Sequence, residues 1–174
     1  SHEFDTWSYL ATNPDLIFSI GTDKGRVAQH YLKFGIDEGR NADEFNENHY
    51  VASNQDLIPI YGLNPKEATQ HYVEYGLNEQ RATSDFNEFV YLAANLDIIN
   101  EDYSSYYRYE YYPSYNFPYY SLTSLLEKYA QDHYINYGFL EGRDTNIDFL
   151  IQALTNNSSN SNNNFNSYSN SSLN

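Results

Sequence analysis

Three stretches of this chain say nearly the same thing, and that recurrence constrains the fold more than any other property. Phe4-Asp5 through Arg40, Phe45-Asn46 through Arg81 and Phe86-Asn87 through Arg143 share one template: Phe, a Tyr-(Leu/Val)-Ala segment, Asn-x-Asp-(Leu/Ile)-Ile, then His-Tyr-x-x-(Phe/Tyr)-Gly-x-x-Glu-x-Arg. His30 and His71 are 41 residues apart, as are Gly35 and Gly76; the third copy carries about 21 more residues before His133 and Gly138. A residue type that returns at one register position is expected to pack the same way each time, so recurrence points to architecture before chemistry. The sequence reads as an all-α tandem array of three short helical repeats, residues 4–44, 45–85 and 86–146. A capping helix over 147–155 and an Asn/Ser-rich tail over 156–174 follow.

Within the first copy, Phe4, Trp7 or Ser8, and Leu10 or Ala11 fall at three-to-four spacing, which predicts a short helix with one buried face. Asn13-Pro14-Asp15 reads as N-cap, first helical residue and first-turn acid of a second, very short helix opening at Leu16-Ile17. Gly21 ends it, and Thr22 or Asp23 caps a third helix running to about Phe34. Val27 or Ala28, Tyr31, Leu32 and Gly35 fall on one face of that helix, with Gly35 where a left-handed C-terminal cap would want glycine. Asn64-Pro65-Lys66-Glu67 gives the same capped start in the second copy. In the capping helix, Ile147, Phe149, Leu150, Ile151, Ala153 and Leu154 supply apolar cover for the open end of a stack.

The recurrent polar residues admit a site or a structural role. Arg40, Arg81 and Arg143, with Glu38, Glu79 and Glu141, could hold an ion or substrate. The structural alternative is that each Arg reaches the aligned Asp15, Asp56 or Asp97, or a helix-end carbonyl, and locks one repeat to its neighbour. His30, His71 and His133 invite a metal. Equivalent positions on stacked helices are separated by at least about 8–10 Å, whereas metal–nitrogen bonds are about 2.0–2.1 Å. Each His is therefore expected to hydrogen-bond inside its own unit, and no metal or other cofactor is expected. Gly35, Gly76 and Gly138 complete the structural set. The acidic cluster Asp37, Glu38, Asp43, Glu44 and Glu47 lacks the alternating pattern and central Gly of an EF-hand loop and reads as solvated surface. His2 and His49 offer no ligand spacing. No phosphate-binding Gly loop, nucleophile elbow or Asp-x-Asp dyad occurs, so no catalytic residue is assigned.

What breaks the repeat is where specificity can reside. Residues 101–120 read EDYSSYYRYEYYPSYNFPYY. Tyr offers wide amphipathic contact area at low side-chain entropy cost, so Tyr103, Tyr106, Tyr107, Tyr109, Tyr111, Tyr112, Tyr115 and Tyr119 form a candidate recognition surface. The alternative is that these rings pack across the repeats with their hydroxyls wet.

Charge narrows the partners. With 9 Lys and Arg against 24 Asp and Glu, the formal charge of −15 repels phosphate backbones and anionic lipid, which disfavours nucleic acid and membrane surfaces. There is no Cys, hence no disulfide and no thiolate metal site. No run approaches a membrane-spanning length. No Met occurs, so the sequence reads as a piece of a larger protein.

The string Phe4-Asp5, Tyr9-Leu10, Asn13-Pro14-Asp15-Leu16, His30-Tyr31, Gly35 and Glu38-Gly39-Arg40 resembles a short helical repeat. That repeat is associated with bacterial glycosyltransferases, where it flanks the catalytic domains, with large secreted or surface calcium-binding-type proteins, and with repeat proteins of large DNA viruses. The second copy departs at Gln55 and Gln80, the third at Leu96 and in its insertion. The resemblance covers nearly everything from Phe4 to Arg143 and implies an accessory module with no catalytic residues to carry over. The expected function is non-enzymatic: a structural or interaction segment of a larger secreted, cell-surface or virion-associated protein, with a protein or glycan partner, self-association included. The competing expectation is an acceptor-positioning or scaffold region of a glycosyltransferase, which would be cytoplasmic.

Overall fold

The computed structural model describes residues 4–101, 122–146, 148 and 151–152. Among these residues the chain is all-helical, without a strand. Contacts group the chain into two compact units, Ser1–Phe86 with Gln131–Leu140, and Asn87–Ala130 with Glu141–Asn174.

The first unit holds α1 (Thr6–Thr12), α2 (Asp15–Ile20) and α3 (Lys24–His30), then α4 (Glu47–Ser53), a 3₁₀ turn (Gln55–Leu57), α5 (Ile58–Tyr61) and α6 (Pro65–His71). Asp5 caps α1 by accepting from the Trp7 and Ser8 amides at 2.8 and 3.3 Å; Asn46 does the same for α4 from His49 at 2.9 Å. The residue before each cap packs on the fourth helical residue, Phe4 on Tyr9 and Phe45 on Tyr50, with ring centroids 5.5 and 5.6 Å apart. This hydrophobic staple fixes the direction in which the chain enters the helix. The same Phe stacks on the Tyr that follows the repeat histidine: Phe4 on Tyr31, Phe45 on Tyr72 and Phe86 on Tyr134, at 4.6, 4.7 and 4.9 Å. Tyr9 and Tyr50 have no exposed surface and sit at the centre of this aromatic packing.

The third helix of each copy widens where the sequence predicts its end. After α3, α6 and α9 (Leu122–His133) the backbone passes into π turns at Tyr31–Gly35, Tyr72–Gly76 and Tyr134–Gly138. The Ile36 amide bonds the Tyr31 carbonyl at 3.2 Å and Leu77 bonds Tyr72 at 3.0 Å, each skipping one residue beyond the α-helical partner. A Cβ at Gly35 or Gly76 would collide with the Tyr9 or Tyr50 hydroxyl. Gly35 is therefore not the left-handed cap that the sequence suggested. That role belongs to Gly39 (φ 67°), four residues later, and to Gly142 (φ 67°). Around Gly39 the Arg40 amide bonds the Gly35 carbonyl at 2.9 Å and the Gly39 amide bonds Ile36 at 3.1 Å, a Schellman closure. The second copy closes identically through Arg81 and Gln80, at 3.0 and 3.1 Å, with Gln80 itself held at φ 56°.

Two further expectations need correction. Asn13 does not cap α2: Pro14 occupies the cap position without a side-chain bond, and the Asn13 Oδ1 that a cap would use accepts from Arg40 instead. Leu32, placed on the buried face of α3, is 71% exposed. By contrast Asp23 caps α3 through the Arg26 amide at 2.9 Å, and Asn64 with Pro65 opens α6. Gly21 (φ 71°) ends α2.

The second unit contains α7 (Glu88–Ala94), capped by Asn87 from the Val90 amide at 2.9 Å, and α8 (Leu96–Glu101). It also holds the start of α9, and Tyr129 donates its hydroxyl to the Ile98 carbonyl at 2.8 Å. A short α10 (Phe139–Glu141) follows the last π turn. Asp148, Ile151 and Gln152 are helical in the region of the expected capping helix; Ile147, Phe149, Leu150, Ala153 and Leu154 lie outside the described residues, as does the tail over 156–174.

Gln80 pays the steric cost of a left-handed backbone, on the order of 1–2 kcal/mol, part of which glycine's larger unfolded-state freedom offsets. Gln80→Gly is therefore expected to raise stability by about 0.5–1 kcal/mol in thermal unfolding, and Gly39→Gln to lower it comparably. Gly76→Ala should destabilise by about 1–3 kcal/mol through overpacking. Because the obstacle is a single hydroxyl, the same substitution should cost clearly less in a Tyr50→Phe background; an additive pair in urea melts would show that the obstacle lies elsewhere.

Candidate functional site

The recurrent polar residues gather into one cluster per copy. Arg40 donates through Nη1 and Nη2 to the two carboxylate oxygens of Asp15, both at 2.9 Å, and through Nε to Glu38 at 2.6 Å. Arg81 bonds Asp56 at 2.9 Å and Glu79 at 2.5 Å. In the second unit Arg143 bonds both oxygens of Asp97, at 3.0 and 2.8 Å, and Glu141 at 2.5 Å. The pairs thus lie inside a copy, tying the exit of its third helix to the start of its second, and are not links between neighbours. Asp15, Asp56 and Asp97 all have carboxyls held below the ordinary aspartate value, chiefly by the hydrogen bond from their Arg. The aspartates are 60–62% exposed, so each bridge is a surface interaction of modest strength.

Beside each Arg lies an asparagine; the sequence pattern reads Asn13 as a helix cap and gives Asn54 and Asn95 no role. Asn13 Nδ2 donates to the carbonyls of Tyr9 at 2.9 Å and Asn41 at 2.8 Å, and its Oδ1 accepts from Arg40 at 3.3 Å. Asn54 donates to Tyr50 and Ala82, both at 2.7 Å. Asn95 donates to Tyr91 at 2.8 Å and Asp144 at 3.0 Å. Each clip satisfies a carbonyl at the end of a first helix and pins the chain just after the Arg. Thr12 Oγ1 adds bonds from the Glu44 and Phe45 amides at 2.9 and 3.2 Å; Ser53 does so from Asp85 and Phe86 at 2.9 and 3.0 Å.

His30 and His71 bond within their own copy. His30 Nδ1 lies 3.1 Å from the Tyr9 hydroxyl and His71 Nδ1 lies 2.9 Å from that of Tyr50. Burial pushes the Tyr9 and Tyr50 phenols up, and burial followed by the Arg81 charge pushes His71 down. In the second copy, protonated phenol facing neutral imidazole makes the Tyr50 O–H the donor and His71 Nδ1 the acceptor. His133 is buried, its ring 5.6 Å from that of Tyr137.

Among the described residues no group of His, Asp and Glu is placed to hold a metal ion, the acidic residues from Asp37 to Glu47 included. No helix among them is long and apolar enough to cross a membrane. A shallow groove of 330 Å³ lies between the end of α1 and the start of α4, lined by Ala11, Thr12, Glu44, Asn46, His49 and Ser84 among others. His49 lies in this groove with Nε2 2.8 Å from the Phe86 carbonyl, so that nitrogen carries the proton. The eight tyrosines of the candidate recognition surface, and His2, lie outside the described residues. No protein-family model matches the chain, and neither the curated proteins nor the solved structures return a match.

The His71 value below that of free histidine means that the folded protein favours neutral imidazole. This contribution is intact above about pH 6.5 and is lost as pH falls through the depressed folded value. The Asp15 and Asp56 contributions, whose folded values are also depressed, persist until pH drops below the ordinary aspartate range. The melting temperature of the parent protein should therefore fall more between pH 7.5 and pH 5, round values bracketing the histidine range, than that of His71→Gln. Changes in net charge are shared by the two proteins and cancel in the comparison. Equal slopes would refute the assignment.

Proposed function

We propose that this chain is a non-enzymatic structural and interaction module, a helical repeat scaffold belonging to a larger secreted, cell-surface or virion-associated protein. The observation that carries this reading is the use to which the recurrent residues are put. Arg40 and Arg81 are engaged by two carboxylates each, Asn13 and Asn54 by two carbonyls each, and His30 and His71 by a buried phenol. The motif residues a chemist would reach for first are the ones that hold backbone segments together. Such a scaffold presents its variable parts, here the tyrosine-rich segment within 101–120, to a protein or glycan partner, while the repeated parts supply rigidity.

Residues serving an active or binding site are held at some cost to stability, so replacing them tends to leave the fold unchanged or firmer. Residues serving architecture behave oppositely. Asn54→Ala, which leaves two carbonyls unpaired, is expected to destabilise by about 2 kcal/mol. Arg81→Ala, which removes a partly exposed pair, should cost about 1 kcal/mol. Tyr50→Phe, which orphans His71 Nδ1, should cost about 1–2 kcal/mol. Chemical denaturation of the three variants checks the reading; a set as stable as the parent would overturn it.

A further inference from the structure

Four positions after the repeat histidine every copy carries an aromatic ring, and every copy leaves it in solvent. Phe34, Tyr75 and Tyr137 are 54%, 56% and 58% exposed, each beside its own histidine with ring centroids 5.7, 5.8 and 5.6 Å apart. One exposed ring needs no explanation, but the same exposure at one register position three times is a repeated surface. The second copy adds another ring to it. Tyr61, half-buried at the end of α5, lies 5.2 Å from the His71 ring, so that imidazole touches both Tyr61 and Tyr75. The first copy has Ile20 in that place.

The charge around these rings is also particular to the second copy. Glu67 and Glu74, four residues before His71 and three after it, are exposed and follow the same side of α6 and its π turn as Tyr75. Neither is paired with a cation among the described residues, and Glu74 accepts only from the neutral Gln70 amide, at 3.1 Å. Burial, then the charge of Glu67 and in smaller part that of Glu74, push the Tyr61 phenol up, so both carboxylates are within electrostatic reach of that ring. The bases nearby do not cancel them. Arg81 is held by Asp56 and Glu79, and Lys66 projects about 100° round the helix from Glu67. His71 adds no opposing charge, since burial keeps its imidazole neutral. At the registers of Glu67 and Glu74 the first copy has Arg26 and Lys33, and the third has Tyr129 and Asn136.

We infer that Tyr61, His71 and Tyr75, edged by Glu67 and Glu74, form a site for an arginine side chain of a basic partner protein. A guanidinium is planar and weakly hydrated, so it stacks on the rings while its forked N–H groups donate to a carboxylate at their edge. The chain makes a contact of this kind within itself, where the Lys24 ammonium lies 5.9 Å from the centre of the Trp7 ring. The net charge of −15 draws such a partner in, whereas Arg26 and Lys33 turn the same ligand away from the first copy. The inference rests on the interaction-module reading and names the partner chemistry for one of its faces.

Nuclear magnetic resonance of the 174-residue chain, titrated to about 10 mM with the end-blocked peptide Gly-Ser-Arg-Ser-Gly, tests this. The ring signals of Tyr61, His71 and Tyr75 should shift and saturate with a midpoint on the order of 1 mM. Those of His30 and Phe34 should stay still, and the same peptide with citrulline for arginine should move none of them. Tyr75→Leu and Glu74→Lys should each weaken binding at least about threefold, while Tyr75→Phe, which keeps a ring, should bind like the parent. Asp43→Lys changes the net charge as much as Glu74→Lys and should weaken binding less. The substituted side chains are exposed, so the variants should melt like the parent; if Tyr75→Leu does not, the two lysine variants carry the comparison. Equal shifts with citrulline, shifts spread alike over His30 and Phe34, or an Asp43→Lys loss equal to that of Glu74→Lys would overturn the inference. So would saturable shifts with maltohexaose in place of the arginine peptide, which would mark a sugar platform. Any of these would leave the module reading standing on its denaturation series, so the two failures are distinguishable.

Discussion

The hydroxyl of one tyrosine in each of the first two copies is the point on which the rest depends. Tyr9 and Tyr50 are buried completely, and a phenol in that position must find a partner or destabilise the core. The partner is the histidine that ends α3 or α6, at 3.1 or 2.9 Å. To deliver that nitrogen, the third helix must approach so closely that the residue opposite the hydroxyl can have no side chain at all. Tyr, His and Gly are one device written in three places along the template. The π turn fits the same demand, since a wider turn ending at the glycine brings its backbone alongside the ring.

How far this is legible in the sequence depends on which kind of demand a residue answers. The helical periodicity and the helix punctuation at Gly21 and Asp23 follow from local patterns, while the bonds of His30 and His71 to phenols 21 residues back follow from the spacing that keeps each repeat histidine within its own copy. The glycine was misread because two different glycines sit four residues apart. The copies themselves hold the clue: Gly39 becomes Gln80, while Gly35, Gly76 and Gly138 do not change. A strained backbone angle can be tolerated at modest cost, whereas two atoms cannot share a place. The asparagine clip could have been recognised likewise. Asn13, Asn54 and Asn95 persist while the next residue runs through Pro14, Gln55 and Leu96, so the amide is kept for its own sake and not as half of a turn signal. Its acceptor is a carbonyl 28 residues away, a relation that no local pattern encodes.

Leu32 shows why repetition can mislead about burial. Its counterparts Val73 and Ile135 are core residues, and every sequence cue for Leu32 is the same as theirs. Burial here belongs to the contact between copies and not to the residue: Val73 and Ile135 lie on segments against which α1 and α4 pack, while Leu32 stays 71% exposed.

The third copy makes the same polar clip as the first two across a much longer span. Asn13 and Asn54 reach 28 residues ahead, whereas Asn95 reaches 49 ahead to Asp144 with comparable geometry. Closing a loop costs free energy only as the logarithm of its length, so the longer span adds roughly 0.5 kcal/mol of closure entropy. A copy of this design can therefore take in foreign sequence between its second and third helices almost without penalty. Selection is then free to lengthen, shorten or rewrite that segment while the surrounding helices keep their registers, which makes the interval between Asn95 and His133 a natural place for diversification.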